Sequence, residues 1–216
     1  MSGDPGTGPT PGKGDLRREI LARRRERSGT DRWRDAAQLA ADLPGLLSAL
    51  GTDPARPVCL YVPVRHEPGA APDGATPLLD AAVAIGRRVL LPVTVGAGAG
   101  EEVGPLDWAP FTDRGDLAAG PHGLLEPSRR RLGPDAVGAA SVVVVPALAA
   151  SPAGVRLGRG GGHYDRTLPL VGRATLVVAL VGDDELREWL PAEPHDVGVD
   201  AVWRPTAGLL RTAGTA

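Results

Sequence analysis

The segment Arg156–Asp165 reads RLGRGGGHYD, and its residue types are those that bind phosphate. Glycines occupy four of the five positions 158–162. Glycine permits positive φ angles and close approach of the backbone to a ligand, and consecutive exposed N–H groups can form a concavity that binds anions. Arg156 and Arg159 add guanidinium groups, which make charge-assisted hydrogen bonds with phosphate oxygens. We therefore predict that this segment binds the phosphates of a nucleotide such as ATP.

The residues after the glycines extend this prediction. If His163, Tyr164 and Asp165 begin a helix, its N-terminus also favours phosphate, and Asp165 is a hard oxygen ligand of the kind that Mg²⁺ uses beside a nucleotide. The alternative is a flexible surface loop, because the chain holds 30 Gly and 22 Pro and glycine-rich loops are common. The segment is neither a Walker A motif, since no Gly-Lys-Ser/Thr follows, nor a Rossmann fingerprint, since about ten residues separate it from the preceding strand.

Five short apolar runs, rich in β-branched residues, predict the strands that position this segment. They are Val58–Val62, Arg88–Val93, Ser141–Val145, Thr175–Val181 and Val199–Trp203. Helical stretches alternate with these runs, which favours a mostly parallel sheet buried on both faces. In such a sheet, ligands bind beyond the carboxyl ends of the strands, and the glycine segment follows the best strand, Ser141–Val145.

Four helices are predicted from caps and apolar spacing. Asp15 is the expected N-cap of a helix to about Arg27, Asp31 that of a second helix that Pro44 kinks or ends, and Thr76-Pro77 begins a third to about Ile85. Asp184–Leu190 is expected to be a short helix, and 94–104 a glycine-rich loop. The fold class is α/β: a three-layer α/β/α arrangement in a single domain over residues 13–210, between a disordered tail (1–12) and a C-terminal tail (211–216).

Bulk composition excludes several classes of protein. The formal net charge of −2 gives no electrostatic case for binding nucleic acid or a membrane surface. The single Cys59 cannot form an intramolecular disulfide, and no cysteine pair exists for zinc. The chain has neither a secretory signal nor an apolar run of about 18 residues. We expect a cytoplasmic monomer that acts on small molecules.

The segment RLGRGGGHYD, preceded by VPALA, resembles the signature of the 5-formyltetrahydrofolate cyclo-ligase (5,10-methenyltetrahydrofolate synthetase) family. Other parts of the chain resemble the same family in the same order. They are Lys13 with Leu16 and Arg17; Tyr61 with Pro63 and Glu67; GRRVLLP at Gly86–Pro92; GLLEP at Gly123–Pro127; and LPAEPHD at Leu190–Asp196.

The resemblance implies conversion of 5-formyltetrahydrofolate to 5,10-methenyltetrahydrofolate with ATP as co-substrate and Mg²⁺ as cofactor. It implies catalytic roles for Arg159 and Tyr164, and metal binding by Asp165 and Asp196. The implied ATP-binding residues are Lys13, Arg17, Arg156, Gly158, Arg159, Gly160, Gly161, Gly162, His163 and Tyr164. The implied substrate-binding residues are Tyr61, Glu67, Arg159, Gly160, Gly161, Gly162 and His163. Lys13 is the only lysine among 24 basic residues.

The residues alone leave simpler interpretations open: Lys13 as a solvated residue beside a tail, Glu67 as an exposed loop charge and Asp196 as a turn residue. The chain also departs from the family pattern. Ala150-Ser151 replaces Phe-Asp, and His163 replaces a tyrosine. Asp183-Asp184 stands where a glutamine is usual, and Trp203-Arg204-Pro205 stands where the C-terminal strand of the family commonly ends in Thr-Glu or similar. Two alternatives therefore stand beside the cyclo-ligase: a non-catalytic folate- or nucleotide-binding paralogue, and another phosphotransfer enzyme on the same fold.

Overall fold

The computed structural model describes residues 11–96, 102–194 and 196–213. Most of the two predicted tails, five residues of the predicted glycine-rich loop and His195 therefore lie outside the described residues. Every residue predicted for the site lies within them. The described residues contain no helix long and apolar enough to cross a membrane.

A seven-stranded sheet forms the centre of the molecule. Its strands are β1 (Val58–Cys59), β2 (Val89–Val93), β3 (Asp107–Phe111), β6 (Val142–Pro146), β9 (Leu176–Leu180), β10 (Ala201–Arg204) and β11 (Gly208–Arg211). Their order across the sheet is β11-β10-β9-β6-β1-β2-β3. The five inner strands are mutually parallel, and only the two edge strands run antiparallel to their neighbours. This confirms the predicted mostly parallel α/β sheet.

Two short hairpins lie outside this sheet. One pairs β4 (Leu117–Ala119) with β5 (Leu125–Pro127), and the other pairs β7 (Ala149–Ala150) with β8 (Arg156–Leu157). The second hairpin connects the end of β6 to the glycine segment. Neither hairpin was predicted from the sequence, nor were the edge strands β3 and β11.

The helices are α1 (Lys13–Glu26), α2 (Gly29–Ala49), α3 (Pro77–Ala84) and the short α4 (His163–Thr167). Both predicted aspartate caps are wrong. The N-cap of α1 is Gly12, so Asp15 lies in the first turn, and the N-cap of α2 is Ser28, whose hydroxyl accepts a hydrogen bond from the Asp31 amide. Pro44 does not end α2, which continues to Ala49.

Two further element predictions need correction. The predicted helix Asp184–Leu190 is only a single 3₁₀ turn at Asp183–Glu185. The predicted strand Val58–Val62 is paired only at Val58–Cys59, although the Leu60 amide still donates to Leu90. Beyond Leu60 the chain leaves the sheet and turns into the site. β11 also extends to Arg211, one residue into the predicted C-terminal tail.

Alternate strand residues bury the two faces of the sheet, as the continuous apolar runs require. One face packs Val58, Leu91 and Val144 beneath leucines of α2 and α3. The other packs Val143 and Val145 beneath short helical turns that include Leu168. Helix α1 lies apart from both layers and packs Leu16 and Ile20 against the β7–β8 hairpin. The fold thus brings α1 close to the glycine segment.

Strand order creates a crevice between β1 and β6. These strands are neighbours, but the chain continues from β1 to β2 on one side and from β6 to β9 on the other. Loops leaving the two carboxyl ends therefore diverge, and α/β sheets bind ligands at such a switch point.

Candidate functional site

A cavity of about 320 Å³ opens at this switch point. Its lining comes from residues after β1, after β2 and at the end of β6, from the β4–β5 hairpin, and from the glycine segment with the first turn of α4. The predicted site residues that line it are Tyr61, Glu67, Arg156, Gly158, Arg159, Gly160, Gly161, Gly162, His163, Tyr164 and Asp165. Nine of these eleven residues belong to the segment Arg156–Asp165, and the fold brings Tyr61 and Glu67 from a distant part of the chain to the same cavity.

The glycine segment follows β8 and turns directly into α4. Gly160 and Gly162 have φ angles of 95° and 75°, which L side chains rarely adopt, so the loop needs glycine at these two positions. Gly162 is also the N-cap of α4. A helix does begin at His163, as predicted, but it is only five residues long.

Helix α1 contacts this loop through Arg17. Its Nε donates a 2.9 Å hydrogen bond to the Gly158 carbonyl, and its guanidinium carbon would lie 3.4 Å from a Cβ at Gly160. Arg17 therefore binds the loop through its Nε atom, and the rest of its guanidinium group lies beside Gly160.

Lys13 lies one turn earlier on α1 and contacts the predicted metal ligand Asp196. The Lys13 ammonium is 2.8 Å from the Asp196 carboxylate and 2.8 Å from that of Glu193. Partial burial disfavours the charged ammonium, but the hydrogen bonds to Asp196 and Glu193 outweigh it and raise the pKa of Lys13. Lys13 and Asp196 are therefore neighbours, although neither lines the cavity itself.

Arg156 makes a second ion pair of the same kind. Its Nη2 lies 2.5 Å from Oδ1 of Asp165, the other predicted metal ligand. The Arg156 side chain is 6% exposed and that of Asp165 31%. Arg156 also lies 5.9 Å from the centre of the Tyr164 ring, within cation–π range. Burial raises the pKa of Tyr164, so its phenol stays protonated in the neutral range.

Glu67 and Arg159 form a third pair, in which the carboxylate is the buried partner. Arg159 Nη2 lies 3.1 Å from Glu67 Oε1, and the other carboxylate oxygen accepts the Val64 amide at 3.0 Å. Burial raises the pKa of Glu67, and Arg159 offsets only part of that effect. The turn from Val64 to Glu67 holds Arg65 at a φ angle of 58°, a left-handed conformation that is strained for a residue other than glycine. Glu67 is therefore not the exposed loop charge of the simpler interpretation.

Tyr61 brings a buried hydroxyl group to the cavity. The residue is 4% exposed, and its hydroxyl has no hydrogen-bond partner among the described residues. Burial, together with the nearby Glu67 charge, raises the pKa of Tyr61 well above its usual value. A buried polar group without a partner costs free energy unless a ligand satisfies it.

His163 connects the glycine segment to the opposite wall of the cavity. Its Nδ1 lies 3.2 Å from the Gly104 carbonyl oxygen, and the ring donates there in the tautomer that carries the proton on Nδ1. Next to it, the Leu106 amide donates to Thr167 at 2.8 Å. His163 stands where the family has a tyrosine, and its ring makes the hydrogen bond to Gly104 in place of a tyrosine side chain.

Two contributors to the cavity were missed. Glu126 lines it and accepts the Thr94 amide at 2.9 Å; the GLLEP match contained this residue, but no role was predicted for it. Arg24 makes a buried ion pair with Glu185 and donates to the carbonyl of Ala147, which lines the cavity. Arg24 stands in an arginine-rich helix, so its residue type carried no signal.

The described residues contain no group of three or more His, Cys, Asp or Glu side chains placed to hold a metal ion. The chemistry of the donors still fits magnesium, because Asp165 and Asp196 offer hard oxygen atoms. Mg²⁺ usually takes one or two protein carboxylates and completes its coordination with water and substrate phosphates.

The fold and the cavity together define an α/β protein with a small-molecule site at a topological switch point. The model of the 5-formyltetrahydrofolate cyclo-ligase family matches residues 9–205. A 5-formyltetrahydrofolate cyclo-ligase of Mycolicibacterium smegmatis is 41% identical over 198 residues, which cover 92% of this chain and 96% of that protein. The chain therefore belongs to the 5-formyltetrahydrofolate cyclo-ligase family, and it is an enzyme of the ligase class.

Solved structures agree with this assignment. The NMR structure of 5,10-methenyltetrahydrofolate synthetase from Aquifex aeolicus matches with a TM-score of 0.72 and 25% identity, covering 94% of each chain. The 5,10-methenyltetrahydrofolate synthetase of Mycoplasma pneumoniae matches with a TM-score of 0.64 over 88% of this chain and 96% of that one. At 18% identity the second likeness supports the fold alone.

Proposed function

We propose that this protein converts 5-formyltetrahydrofolate to 5,10-methenyltetrahydrofolate, with consumption of ATP in the presence of magnesium. The observation that carries the proposal is the cavity in which the glycine loop, Arg156 and Arg159 face the buried Glu67, in a chain of the cyclo-ligase family. The two arginines and the loop amides would bind a triphosphate. The Glu67 carboxylate beside them would accept hydrogen bonds from a heterocycle with N–H donors.

The reaction has two bond-forming steps. The formyl oxygen attacks the γ-phosphorus of ATP, and ADP leaves with the electrons of the broken P–O bond. The N10 amine then attacks the activated formyl carbon, loses its proton and closes the five-membered ring, while inorganic phosphate leaves. Phosphoryl transfer depends mainly on positioning and charge stabilisation, which glycine amides and arginines can provide.

The loop and the arginines around it would hold the triphosphate. The backbone amides of 158–162 supply donors, and Lys13, Arg17 and Arg156 surround the loop with positive charge. Arg159 belongs to the loop and lines the cavity, and it would stabilise the charge on the transferring phosphoryl group. The Arg156 guanidinium lies over the Tyr164 ring, 5.9 Å from its centre.

The folate would occupy the side of the cavity formed by the residues after β1. Glu67 would accept hydrogen bonds from ring N–H donors, and the Tyr61 hydroxyl would gain a partner that it lacks among the described residues. His163 would keep the wall at Gly104 closed over the reacting groups.

Asp165 and Asp196 would hold magnesium through their carboxylate oxygens. A bound magnesium ion supplies charge neutralisation to phosphate oxygens during transfer.

The direct test mixes the purified protein with 5-formyltetrahydrofolate, ATP and MgCl₂ and follows the absorbance of methenyltetrahydrofolate. We expect product only when all three are present, with one ADP formed per product. Arg159→Met should lower kcat about 10²-fold or more, as loss of a transition-state charge stabiliser does. Folded wild-type protein that forms no product would refute the proposal.

The structure weakens the case for a non-catalytic paralogue. Ala150 and Ser151, where the family has Phe-Asp, are buried in the β7–β8 hairpin and do not line the cavity. The Ser151 hydroxyl accepts the Val155 amide at 3.2 Å, which is a structural role. A paralogue would show ligand-induced thermal stabilisation without product. The cytoplasmic location and the monomeric state stay predictions.

A further inference from the structure

The charged residues predicted to bind the triphosphate and the metal are already paired with one another. Lys13 contacts Asp196, and Arg156 contacts Asp165. Each pair joins one predicted phosphate-binding cation to one predicted metal-binding carboxylate. Each predicted metal ligand therefore has a protein cation at one of its two carboxylate oxygens.

We propose that Lys13 and Arg156 make the site specific for a metal–triphosphate complex and exclude free divalent metal ions. This inference rests on the proposed function and names the ligand form that the site accepts. Before the complex binds, Lys13 is paired with Asp196 and Arg156 with Asp165. When the complex binds, the basic groups move to phosphate oxygens and the carboxylates become metal ligands.

Free metal is disfavoured because it would separate an ion pair without offering the displaced cation a new anion, and this cost is larger for the more buried Arg156, since Lys13 keeps Glu193 as a second partner. An ion that took Asp165 would leave the buried Arg156 guanidinium without its partner and close to a divalent charge. Removing one partner of a buried ion pair is strongly unfavourable, and Mg²⁺ also gives up its water reluctantly. A metal–triphosphate complex brings its own oxygens, so each displaced cation finds a new partner at once.

The Lys13 pair offers the clearer test. Its ammonium lies at 2.8 Å from carboxylate oxygens of both Asp196 and Glu193. Replacement by methionine keeps the apolar stem and removes the ammonium charge from beside Asp196 and Glu193. This pair lies outside the core, so the variant should fold.

The experiment measures binding of Mn²⁺, a paramagnetic stand-in for Mg²⁺, to the full chain without nucleotide by the EPR signal of the free ion. We expect weak binding to the wild type and at least about tenfold tighter binding to Lys13→Met and Arg156→Met, within the usual range of coupling between sites. The matched control is Arg18→Met, which removes an exposed α1 arginine whose partner is Asp15, and it should bind Mn²⁺ as the wild type does.

A second set of variants identifies the carboxylate that is responsible for the tighter Mn²⁺ binding. Adding Asp196→Asn to Lys13→Met should return Mn²⁺ affinity to the wild-type level. Titration of the wild type with the β,γ-imido analogue of ATP should show at least tenfold tighter binding with Mg²⁺ than without it, a ratio that Lys13→Met reduces.

Tight Mn²⁺ binding by the nucleotide-free wild type, or equal binding by wild type and Lys13→Met, would overturn the inference. If Arg156→Met does not fold, Lys13→Met alone decides. The result is separable from the proposed function, because the absorbance assay can succeed while the Mn²⁺ affinities stay equal, and can fail while they differ.

Discussion

Glu67 shows at the scale of single residues how a binding group can work against the fold. Its carboxylate is buried in the cavity wall, and its pKa is raised despite the nearby Arg159. A raised pKa means that the ionised form is less favourable in the folded chain than in the unfolded one. The stability linked to this group is therefore fully present below the unfolded pKa and is lost as the pH rises through the folded pKa.

Glu67→Gln should accordingly have a higher melting temperature than the wild type at neutral pH, because it removes the buried charge. The difference should shrink towards acidic pH, where Glu67 is protonated in the wild type. Thermal unfolding at a series of pH values measures this. The same variant should bind the folate more weakly, and a melting temperature below that of the wild type at neutral pH would contradict the argument.

Tyr61→Phe tests a second buried polar group of the cavity. Since the hydroxyl has no partner among the described residues, its removal should leave the free energy of unfolding unchanged or raise it. If the hydroxyl bonds to the folate, KM should rise by roughly 2- to 10-fold, the equivalent of a net hydrogen bond of about 0.5–1.5 kcal/mol. Urea unfolding and steady-state kinetics give the two values, and an unchanged KM would exclude the contact.

At the scale of elements, the sequence predicted the parallel strands and three helices, because long apolar runs and a Thr-Pro start are local signals. It missed strands whose signals are weak. Strand β3 contains Pro110, which is tolerated there because β3 is an edge strand, and β7 and β8 are two residues each. The β7–β8 hairpin that carries the glycine loop thus depends on tertiary pairing that a short stretch of sequence does not reveal.

The glycine loop allows a controlled prediction at the same scale. Gly160→Ala would place a side chain at φ 95° and within 3.4 Å of Arg17, which should cost about 1–2 kcal/mol of stability and displace Arg17. Gly161→Ala is the matched control, because Gly161 is not at positive φ and its added Cβ would meet only ordinary contact with His163 at 3.7 Å. Gly160→Ala should lower both the free energy of unfolding in urea and the affinity for ATP more than Gly161→Ala does. Equal effects of the two variants would contradict this role of Gly160.

At the scale of the whole molecule, the site depends on contacts between distant parts of the chain. Residue type and family resemblance led to functional roles for Lys13, Arg156, Asp165 and Asp196, and these roles stay predictions. The sequence could not predict which cation meets which carboxylate, because Lys13 and Asp196 are 183 positions apart. Nor could it distinguish Arg24 from the other arginines of α1, since only the fold buries it.

The Arg24–Glu185 ion pair should hold α1 on the rest of the molecule, because both side chains are almost fully buried. Arg24→Met should cost about 3–5 kcal/mol, the usual result of leaving a buried charge unpaired. The double variant Arg24→Met/Glu185→Met should recover much of this loss. Urea unfolding of the two single variants and the double variant measures the coupling, and additive losses would show that the pair is not coupled.

The contact between Lys13 and the segment at Glu193–Asp196 has a consequence for biosynthesis. A ribosome adds Lys13 to the chain 183 residues before Asp196. Nascent chains, and products of premature termination before that point, thus lack one side of the predicted metal and triphosphate site. Nucleotide could therefore stabilise only chains that extend past Asp196, so shorter chains would stay easier for proteases to degrade.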